Sequence, residues 1–387
     1  MIIVNKILII GGDHHNGLNL ARIIGKNGYD VIAYVVADHS DSFIAKSKYI
    51  KQTYVFETYK DAYNEIKKMK CDEKPILIPY SDGAEMELDL RLSEFESDFI
   101  CPSINQIQGE VARLMDKKNQ YEWARAHGIH MAFSEEIKLN EQASDIPEGI
   151  NFPVILKPAV SALGQKGDIV ICHDITAYNQ AIQMLLEKQY ERVVIQPFLK
   201  VDYEIDVFGC ICKNAPHIYL VPTKTLRQWP PLKGTNSFSQ IIVDQDLVNS
   251  CKEVIMALKS YGFYGLYDIE LLVVDGEIYL NEINFRNSGD DYMVLSQEFY
   301  YPVYWIQDVL GQKRDTLEFN PSVDSFAMTP VADIMNVRTH RLGVVRWLKD
   351  FCKTKDYALW LLGDNKPMLA YYANRLKKSL KKRIFGR

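Results

Sequence analysis

Short apolar runs alternate with a helical pattern in the first part of the chain. Residues 6–10 (KILII) and 31–36 (VIAYVV) are apolar runs, and a helical pattern lies between them from Leu18 to Asn27. A strand, a helix and a second strand in this order are typical of a parallel sheet. Two further strands are predicted, at 54–56 and 75–79. The chain before residue 115 is therefore predicted to be a doubly wound α/β domain.

Longer strands dominate the middle of the chain. The stretch 151–174 predicts a strand, a glycine-containing turn and a second strand, and it is preceded by a helix that ends at Gly128. Alternating or apolar stretches predict further strands at 193–199, 203–212, 217–222, 267–276 and 277–284, with helices at 177–189 and 246–261. The last two strands are joined by Asp275–Gly276, a sequence that favours a two-residue hairpin turn. This region is predicted to be α+β rather than doubly wound.

Composition excludes several classes of protein. A net charge of −5 argues against a nucleic-acid binder, which would be strongly basic. No apolar run reaches the length of about 18–20 residues that a membrane span needs. The start of the chain reads as a strand rather than as a secretory signal. Seven scattered cysteines without a CxxC pair predict structural thiols in a reducing compartment, so we expect a cytoplasmic protein.

A glycine turn, GGDHHNG, follows the first predicted strand. It invites a dinucleotide interpretation with Asp38 as the ribose-binding acid, but Gly11, Gly12 and Gly17 do not form GxGxxG. A substrate-binding variant of the same fold is the favoured interpretation. The adjacent His14 and His15 have a local backbone role or a phosphate role as readily as a catalytic one.

Acidic and amide side chains mark the two predicted strands around the Asp275–Gly276 turn. Glu282 and Asn284 share one face of their strand, and a two-residue turn can bring Glu270 beside them. Two carboxylates and an amide oxygen are ligands that Mg²⁺ prefers when it also binds phosphates. A solvated, salt-bridged strand face is the alternative, and it explains two acids and an asparagine within apolar strands less well. The sequence therefore predicts a magnesium site.

Two lysines are candidates for an anion site. Lys157 ends a buried strand, where a charge needs a partner, and Lys117 begins a helix, where solvation explains a lone lysine equally well. The SALGQKG turn after Lys157 can surround phosphates with backbone N–H groups. No GxxxxGK[ST] sequence occurs, so a P-loop enzyme is excluded.

The order of these motifs resembles the ATP-grasp superfamily. The succession is DK, FPVILKP, SALGQKG, VVIQPFL and ELLVVDGEIYLNEINFR, and the likeness covers about residues 1–310. It is closest to carboxylate–amine ligases related to carbamoyl-phosphate synthase and D-aspartate ligase. The resemblance implies a pre-ATP-grasp Rossmann-like domain at 1–115, an ATP-grasp domain at 116–310 with a lid at about 150–195, and a C-terminal helical extension at 311–387.

The resemblance also implies roles for individual residues. ATP, with Mg²⁺ or Mn²⁺, is the implied cofactor, and Glu270, Glu282 and Asn284 are the implied metal ligands. The implied ATP-binding residues are Lys117 and Lys157 at the phosphates, Ser161, Gly164, Lys166 and Gly167 in the lid, Gln196, Phe198 and Leu199 at the adenine, and Glu204 at the ribose. Arg286 is implied to steady the acyl phosphate. The chain departs from the family pattern at Gln196, at Phe285 and in a lid poorer in glycine.

The substrates are small molecules in this interpretation. Lys224 and Arg227 match basic positions near phosphate or substrate carboxylate, although solvated loop charge explains them nearly as well. The stretch 286–289 (RNSG) resembles D-aspartate ligases, which implies an amino-acid donor and an acceptor in cell-envelope or surface-polymer synthesis. A bicarbonate-using carboxylase or carbamoyl-phosphate-type enzyme and a non-catalytic nucleotide-binding protein stay open. A monomer and a homodimer are both compatible with the sequence.

The last residues form a basic amphipathic pattern. Leu376, Leu380 and Ile384 recur at helical spacing among lysines and arginines. Such a helix can lie on anionic lipid at the inner face of a membrane. A C-terminal helix docked on the body with solvated lysines is the equally weighted alternative.

Overall fold

A computed structural model gives the architecture of the chain. The structure describes residues 6–139, 146–147, 150–160, 164, 166–232, 234–312, 319, 321 and 325–385. No helix among these residues is both long and apolar enough to cross a membrane.

The first domain is a parallel sheet with helices on both faces. Its strands are β1 (Ile7–Gly12), β2 (Val31–Val36), β3 (Ile50–Phe56) and β4 (Ile76–Pro79), and its helices are α1 (His15–Lys26), α2 (Tyr59–Ile66) and α3 (Asp82–Asp89). The strand order is β3-β2-β1-β4. Ile7 and Ile9 pack in one apolar core while Leu8 and Ile10 pack in another, as expected for a strand buried on both faces. The prediction of a doubly wound domain is confirmed.

The glycine turn of this domain is filled by an aromatic side chain. A Cβ atom at Gly11 would lie 2.3 Å from the Tyr80 ring, and one at Gly17 would lie 2.5 Å from it. These glycines therefore allow the close approach of Tyr80, which is 1% exposed. Their role in the fold is packing.

A second, antiparallel sheet forms a small separate layer. After β5 (Ser103–Ile104), α4 (Glu110–Leu114) and α5 (Lys117–Ala126), the chain forms β6 (Glu135–Lys138), β7 (Val154–Pro158), β8 (Val170–Cys172), α6 (Ile175–Glu187) and β9 (Arg192–Pro197). The strand order is β6-β9-β7-β8. Val154 and Leu156 of β7 pack with α6, so Ile155 and Lys157 lie on the opposite face of the strand.

The largest sheet lies between two cores. It contains β10 (Tyr203–Ile211), β11 (Ile218–Trp229), β12 (Thr235–Ile241), β13 (Phe263–Val274) and β14 (Glu277–Asn284), with α7 (Gln245–Ser260) between β12 and β13 and α8 (Tyr301–Val309) after β14. Along β10, Ile205 and Val207 pack in one core and Phe208 and Cys210 in the other. The antiparallel neighbours of β10 are β11 and β13.

The C-terminal part of the chain adds to this sheet. It contains β15 (Phe326–Met328), α9 (Pro330–Arg338), α10 (Val344–Lys353), β16 (Asp356–Tyr357) and α11 (Lys366–Phe385). The sheet order is β14-β13-β10-β11-β12-β15-β16. The expected helical extension is therefore helical with two short strands that continue the large sheet.

One buried glutamine fixes the helix α5 to the edge strand β14. The side-chain amide of Gln120 donates to the carbonyl of Ile283 at 2.9 Å and accepts from its N–H at 3.0 Å. In the middle of β14, the N–H of Leu280 donates to the carbonyl of His130 at 2.7 Å. An edge strand otherwise leaves such backbone groups without partners inside the protein.

Replacing this glutamine is expected to destabilise the edge of the sheet. In Gln120→Leu, two buried backbone groups lose their hydrogen bonds. The free energy of unfolding is expected to fall by about 2–4 kcal/mol, because each buried polar group left unpaired costs about 1–3 kcal/mol. Urea denaturation measures the change. Gln183→Leu, on the exposed side of α6, is the matched control, and an equal effect of the two substitutions would contradict the role of Gln120.

Candidate active site

A cavity of about 470 Å³ lies where the three sheets meet. This volume is in the range of small-molecule sites. Its lining joins the strands β7, β9, β10, β13 and β14 to the start of α1 and α3 in the first domain. The site residues predicted from sequence that line the cavity are Lys117, Lys157, Gly164, Gln196, Phe198, Leu199, Glu204, Glu270, Glu282, Asn284 and Arg286.

A β-bulge aligns the acidic residues of the hairpin. Asp275 and Gly276 both have positive φ angles, 50° and 81°, as a tight two-residue turn requires. Such a turn alone would place Glu270 opposite Asn281 and leave Glu282 on the other face of the sheet. In the structure, the bulge shifts the register by one residue, so that Glu270 pairs with Glu282. The sequence-based expectation that the turn suffices is corrected here.

The two lysines reach these acids from different elements. Lys117 Nζ donates to Glu282 Oε1 at 2.9 Å, and its backbone N–H donates to the carbonyl of Ala159 at 2.9 Å. The second contact ties the start of α5 to the end of β7. Lys157, on β7, donates from Nζ to Asn281 Oδ1 at 2.9 Å. The bulge residue Asn281 in turn donates to Glu270 Oε2 at 3.0 Å.

The environment of Lys157 weakens its positive charge. Burial and, to a smaller extent, the nearby Lys117 ammonium lower the pKa of Lys157 to about 8. The carboxylates of Glu282, Glu270 and Glu204 act in the opposite direction without cancelling the effect of burial. This amine is therefore partly neutral at mildly alkaline pH, and an added anion would restore its charge.

The hairpin residues fit a magnesium ion that also binds phosphates. Among the described residues, no three histidine, cysteine, aspartate or glutamate side chains are grouped closely enough to hold a metal ion. A metal here would depend on Glu270, Glu282 and the amide oxygen of Asn284, completed by ligand oxygens. Mg²⁺ typically uses one or two protein carboxylates together with substrate phosphates, so the donor set fits. The lysine at Glu282 shows that the hairpin attracts a cation.

One end of the cavity is apolar. Its lining there includes Ile155, Ile169, Phe198, Leu199, Val201, Leu272 and Leu280. Gln196 lies on β9 beside this lining, and its amide donates to Ser134 Oγ. At the margin, Glu204 Oε1 accepts from Gln228 Nε2 at 3.0 Å. Apolar walls with a few polar groups suit a planar base and its ribose.

The lid turn is described only in part. Gly164 lines the cavity and packs against Pro158, where an added Cβ atom would lie 2.6 Å from the proline ring. Lys166 and Gly167 belong to a short 3₁₀ turn, Lys166–Asp168. Ser161 lies outside the described residues. The phosphate contacts expected of these four residues stay predictions.

Arg286 connects the large sheet to the first domain. Its guanidinium donates to Asp82 Oδ1 at 2.9 Å and to Asp268 Oδ2 at 2.5 Å. Asp82 is the first residue of α3, and Asp268 lies on β13 beside Asn284. Charge-assisted bonds of this kind fix the direction of a guanidinium, so Arg286 is held beside the metal-binding candidates.

The part of the cavity beside Glu270 and Arg286, which we call its acidic end, carries further carboxylates, and Asp206 on β10 is the cross-strand partner of Glu270. Asn236 Nδ2 donates to Asp290 Oδ2 at 2.9 Å and also to Asp206, so one amide joins two carboxylates. Burial and the neighbouring carboxylates raise the pKa of Asp206 well above its ordinary value. His15 also lines this end, and burial lowers its pKa well below the ordinary value. Five of these residues were not predicted from sequence: Asp82, Asp206, Asn236, Asp268 and Asp290. Asp206 and Asp268 lie two residues from Glu204 and Glu270 on the same strands, so period-two alternation could have marked them, whereas the other three come from other segments.

Lys224 and Arg227 lie on β11 next to the cavity but are not part of its described lining. Lys224 Nζ lies 3.5 Å from the centroid of the Tyr203 ring. Arg227 donates to both oxygens of Asp333 at 2.9 and 2.8 Å and to Asp350 at 2.6 Å. These ion pairs tie β11 to α9 and α10. Contact of either residue with substrate stays a prediction.

Two sequence relatives are enzymes with different names. A formate-dependent phosphoribosylglycinamide formyltransferase of Tolumonas auensis is 23% identical over 287 residues, which cover 65% of this chain and 68% of that protein. A D-alanine–D-alanine ligase of Campylobacter concisus is 24% identical over 175 residues, 43% of this chain. The matched part spans about half of that ligase, 49% of its length.

The fold is also found among solved structures. The N5-carboxyaminoimidazole synthetase of Staphylococcus aureus in complex with ADP aligns with a TM-score of 0.64 at 16% identity. The alignment covers 81% of this chain and 79% of the synthetase. This likeness shows a shared fold.

A family match covers the strands that carry the site. Residues 122–296 match the sequence model of the ATP-grasp domain, a range that contains Lys157 and the whole acidic hairpin. The match and the fold agree with the resemblance seen in the motif order. The chain therefore contains an ATP-grasp domain, the domain of ATP-dependent, ADP-forming ligases.

Proposed function

We propose that this ligase activates the carboxylate of an amino acid with ATP and joins it to an amine to form an amide. One observation carries the proposal: two lysines and two glutamates converge in the cavity, with Lys117 Nζ 2.9 Å from Glu282 Oε1. A polyphosphate and its magnesium ion can replace these lysine–carboxylate contacts, since each charge then gains an opposite partner.

The acidic end of the cavity supports an ammonium-bearing substrate. Asp206 and Asp290 line the cavity, and Arg286 in the same lining is paired with Asp82 and Asp268. Burial and the neighbouring acids raise the pKa of Asp206, and a bound ammonium group would stabilise its charged form. The RNSG stretch at 286–289 resembles D-aspartate ligases, and it extends the proposal to an acceptor used in cell-envelope or surface-polymer synthesis.

The chemistry needs charge neutralisation and exclusion of water. A carboxylate oxygen attacks the γ-phosphorus of ATP and ADP leaves, and the amine then attacks the acyl carbon while phosphate leaves and a proton is lost. Lys117 and Lys157 hold the phosphates, and Arg286 stabilises the oxyanion of the tetrahedral intermediate. Magnesium, held by Glu270, Glu282 and Asn284, would neutralise phosphate charge. The β7–β9 sheet covers the site and limits hydrolysis of the acyl phosphate.

A substrate panel tests the reaction class. ADP release is measured with amino acids of both configurations, formate and bicarbonate, each with and without an amine. Amino acids are expected to raise ADP release at least about tenfold over background, since only they place an ammonium among the carboxylates. Stimulation by bicarbonate alone would favour the carboxylase alternative. Nucleotide binding without turnover on any donor would favour a non-catalytic protein.

Substituting one proposed metal ligand tests the hairpin. Glu282→Gln is expected to keep the fold and to lower magnesium-dependent turnover by about 100-fold or more, because loss of a residue that only orients a metal ligand already costs roughly 10–100-fold. The matched control is Glu277→Gln on the same strand, whose side chain is 64% exposed. Thermal unfolding verifies that both variants fold. Turnover of Glu282→Gln within a few-fold of the unmodified enzyme would overturn the assignment.

The lowered pKa of Lys157 predicts a pH dependence of ATP binding. The charged amine binds phosphates, so affinity is expected to be full below the pKa of about 8 and to fall above it. Above a pH of about 8, the association constant for ATP falls by up to about tenfold per pH unit. The fall ends where the pH reaches the higher pKa that Lys157 has in the ATP complex. Calorimetry in two buffers should also detect proton uptake near pH 8.5. Lys157→Arg keeps its charge over this range. An equal pH dependence in this variant would contradict the role of Lys157.

A further inference from the structure

The charge of the chain is divided very unevenly. Residues 338–387, which we call the C-terminal basic segment, contain 14 lysines and arginines and three aspartates, a net charge of +11. The preceding 337 residues have a net charge of −16. Charge asymmetry of this size is typical of proteins that bind an anionic surface through one region.

The few acids of this segment do not reach solvent. Asp350, Asp356 and Asp364 are 2%, 8% and 4% exposed. Asp364 is paired with the buried Arg22, and Asp350 with Arg227. By contrast, every lysine and arginine of the segment whose side chain is described is exposed. The described surface of the segment therefore presents positive charge without negative charge to offset it.

Large apolar side chains lie exposed among these cations. The structure describes 15 exposed large hydrophobic residues, and eight of them belong to this segment: Val344, Val345, Leu348, Trp360, Leu362, Leu369, Tyr372 and Leu376. Scattered exposed leucines are ordinary, but a group concentrated in one short segment indicates an interaction surface.

The helix α11 is apolar on two sides. Tyr371 contacts Phe43 of the first domain with ring centroids 5.2 Å apart, and Met368 packs on the same core. This side docks the helix on the body, as one of the two sequence-based alternatives expected. Leu369, Tyr372 and Leu376 follow at helical spacing and face solvent, with exposed fractions of 62%, 45% and 63%. Docking and surface binding are therefore compatible.

Aromatic contacts join α10 to the chain that precedes α11. Trp347 and Phe351 of α10 lie 5.2 Å apart, Phe351 lies 5.0 Å from Tyr357, and Tyr357 lies 6.0 Å from Trp360. On the outer side of α10, Val345 is 69% exposed. The exposed residues at 344–348 and 360–362 thus belong to one connected unit.

We propose that the C-terminal basic segment docks on an anionic lipid surface, with the outward apolar side chains of α10 and α11 entering the headgroup region. Interleaved cationic and aliphatic side chains match such a surface, where charge attracts the protein and apolar burial retains it. Nucleic acid would engage the cations but offers little to isolated aliphatic side chains. A symmetric contact between two copies through this segment would bring two segments of charge +11 together and is disfavoured by repulsion.

Co-sedimentation of the full chain with lipid vesicles tests the proposal. Binding to phosphatidylglycerol vesicles is expected at low salt and is expected to weaken at least about tenfold between roughly 0.05 M and 0.5 M salt. Phosphatidylcholine vesicles should bind weakly at both concentrations. Absence of binding to phosphatidylglycerol at low salt, or equal binding to the two lipids, would overturn the proposal.

A matched pair of variants separates lipid docking from adsorption by charge alone. The test variant carries V345S, L348S, L369S and L376S, and the control carries L90S, I107S, I175S and M256S, which are comparably exposed elsewhere. The test variant is expected to bind phosphatidylglycerol vesicles about tenfold or more weakly, because apolar burial is lost, and the control should match the unmodified protein.

The remaining outcomes are also decisive. Thermal unfolding establishes that both variants fold, and ADP release follows the proposed ligase reaction independently of vesicles. Equal lipid binding by the test variant and the unmodified protein would show adsorption by charge alone and overturn the proposal. Sedimentation velocity detecting a dimer that only the test variant loses would assign the surface to a second copy, with the same consequence.

Discussion

Compensation of buried charge is the constraint on which the site depends. Glu270 and Glu282 lie side by side on one hairpin, an arrangement that would raise their energy without cations nearby. Lys117 from α5 and Lys157 from β7 supply those cations, directly or through Asn281. Because the four charges come from four elements, β7, α5, β13 and β14, the pairing also holds the small sheet, the helix and the large sheet around one cavity. A nucleotide with magnesium would satisfy the same charges, so the free protein is already arranged for it.

The hairpin shows how far sequence reasoning reached. The strands and the turn could be predicted from the sequence. Asp275–Gly276 strongly favours a two-residue hairpin turn, and the flanking residues alternate between apolar and polar. The bulge at Asn281 left no such signal. It is supported from outside the hairpin, by Gln120 at Ile283 and by the carbonyl of His130 at Leu280. Contacts from outside the hairpin therefore fix the strand register beyond the turn. This register decides on which face of the sheet Glu282 lies.

The acidic end of the cavity could not be predicted for a related reason. Asp82 begins a helix of the first domain, Asp206 lies on β10 and Asp290 follows β14, so the cluster exists only after three distant segments meet. Each residue alone reads as an ordinary surface acid. The glycine turn presents the opposite case, since a pattern that suggested a ligand is explained by Tyr80, whose ring packs against Gly11 and Gly17. A sequence pattern within one helix or strand predicts that helix or strand. A site formed by several elements can be recognised only when the packing of those elements is known.

The C-terminal segment is part of the large sheet as well as a surface. β15 pairs with β12, and Thr329, the residue after β15, lines the cavity. Arg227 on β11 binds Asp333 of α9 and Asp350 of α10, so the helix that carries Val345 is fixed to the strands behind the acidic end of the site. Breaking a buried ion pair of this kind leaves an uncompensated charge, and the connection is therefore stiff. A surface bound by α10 would consequently have a fixed orientation relative to the cavity, which a flexible tail could not provide.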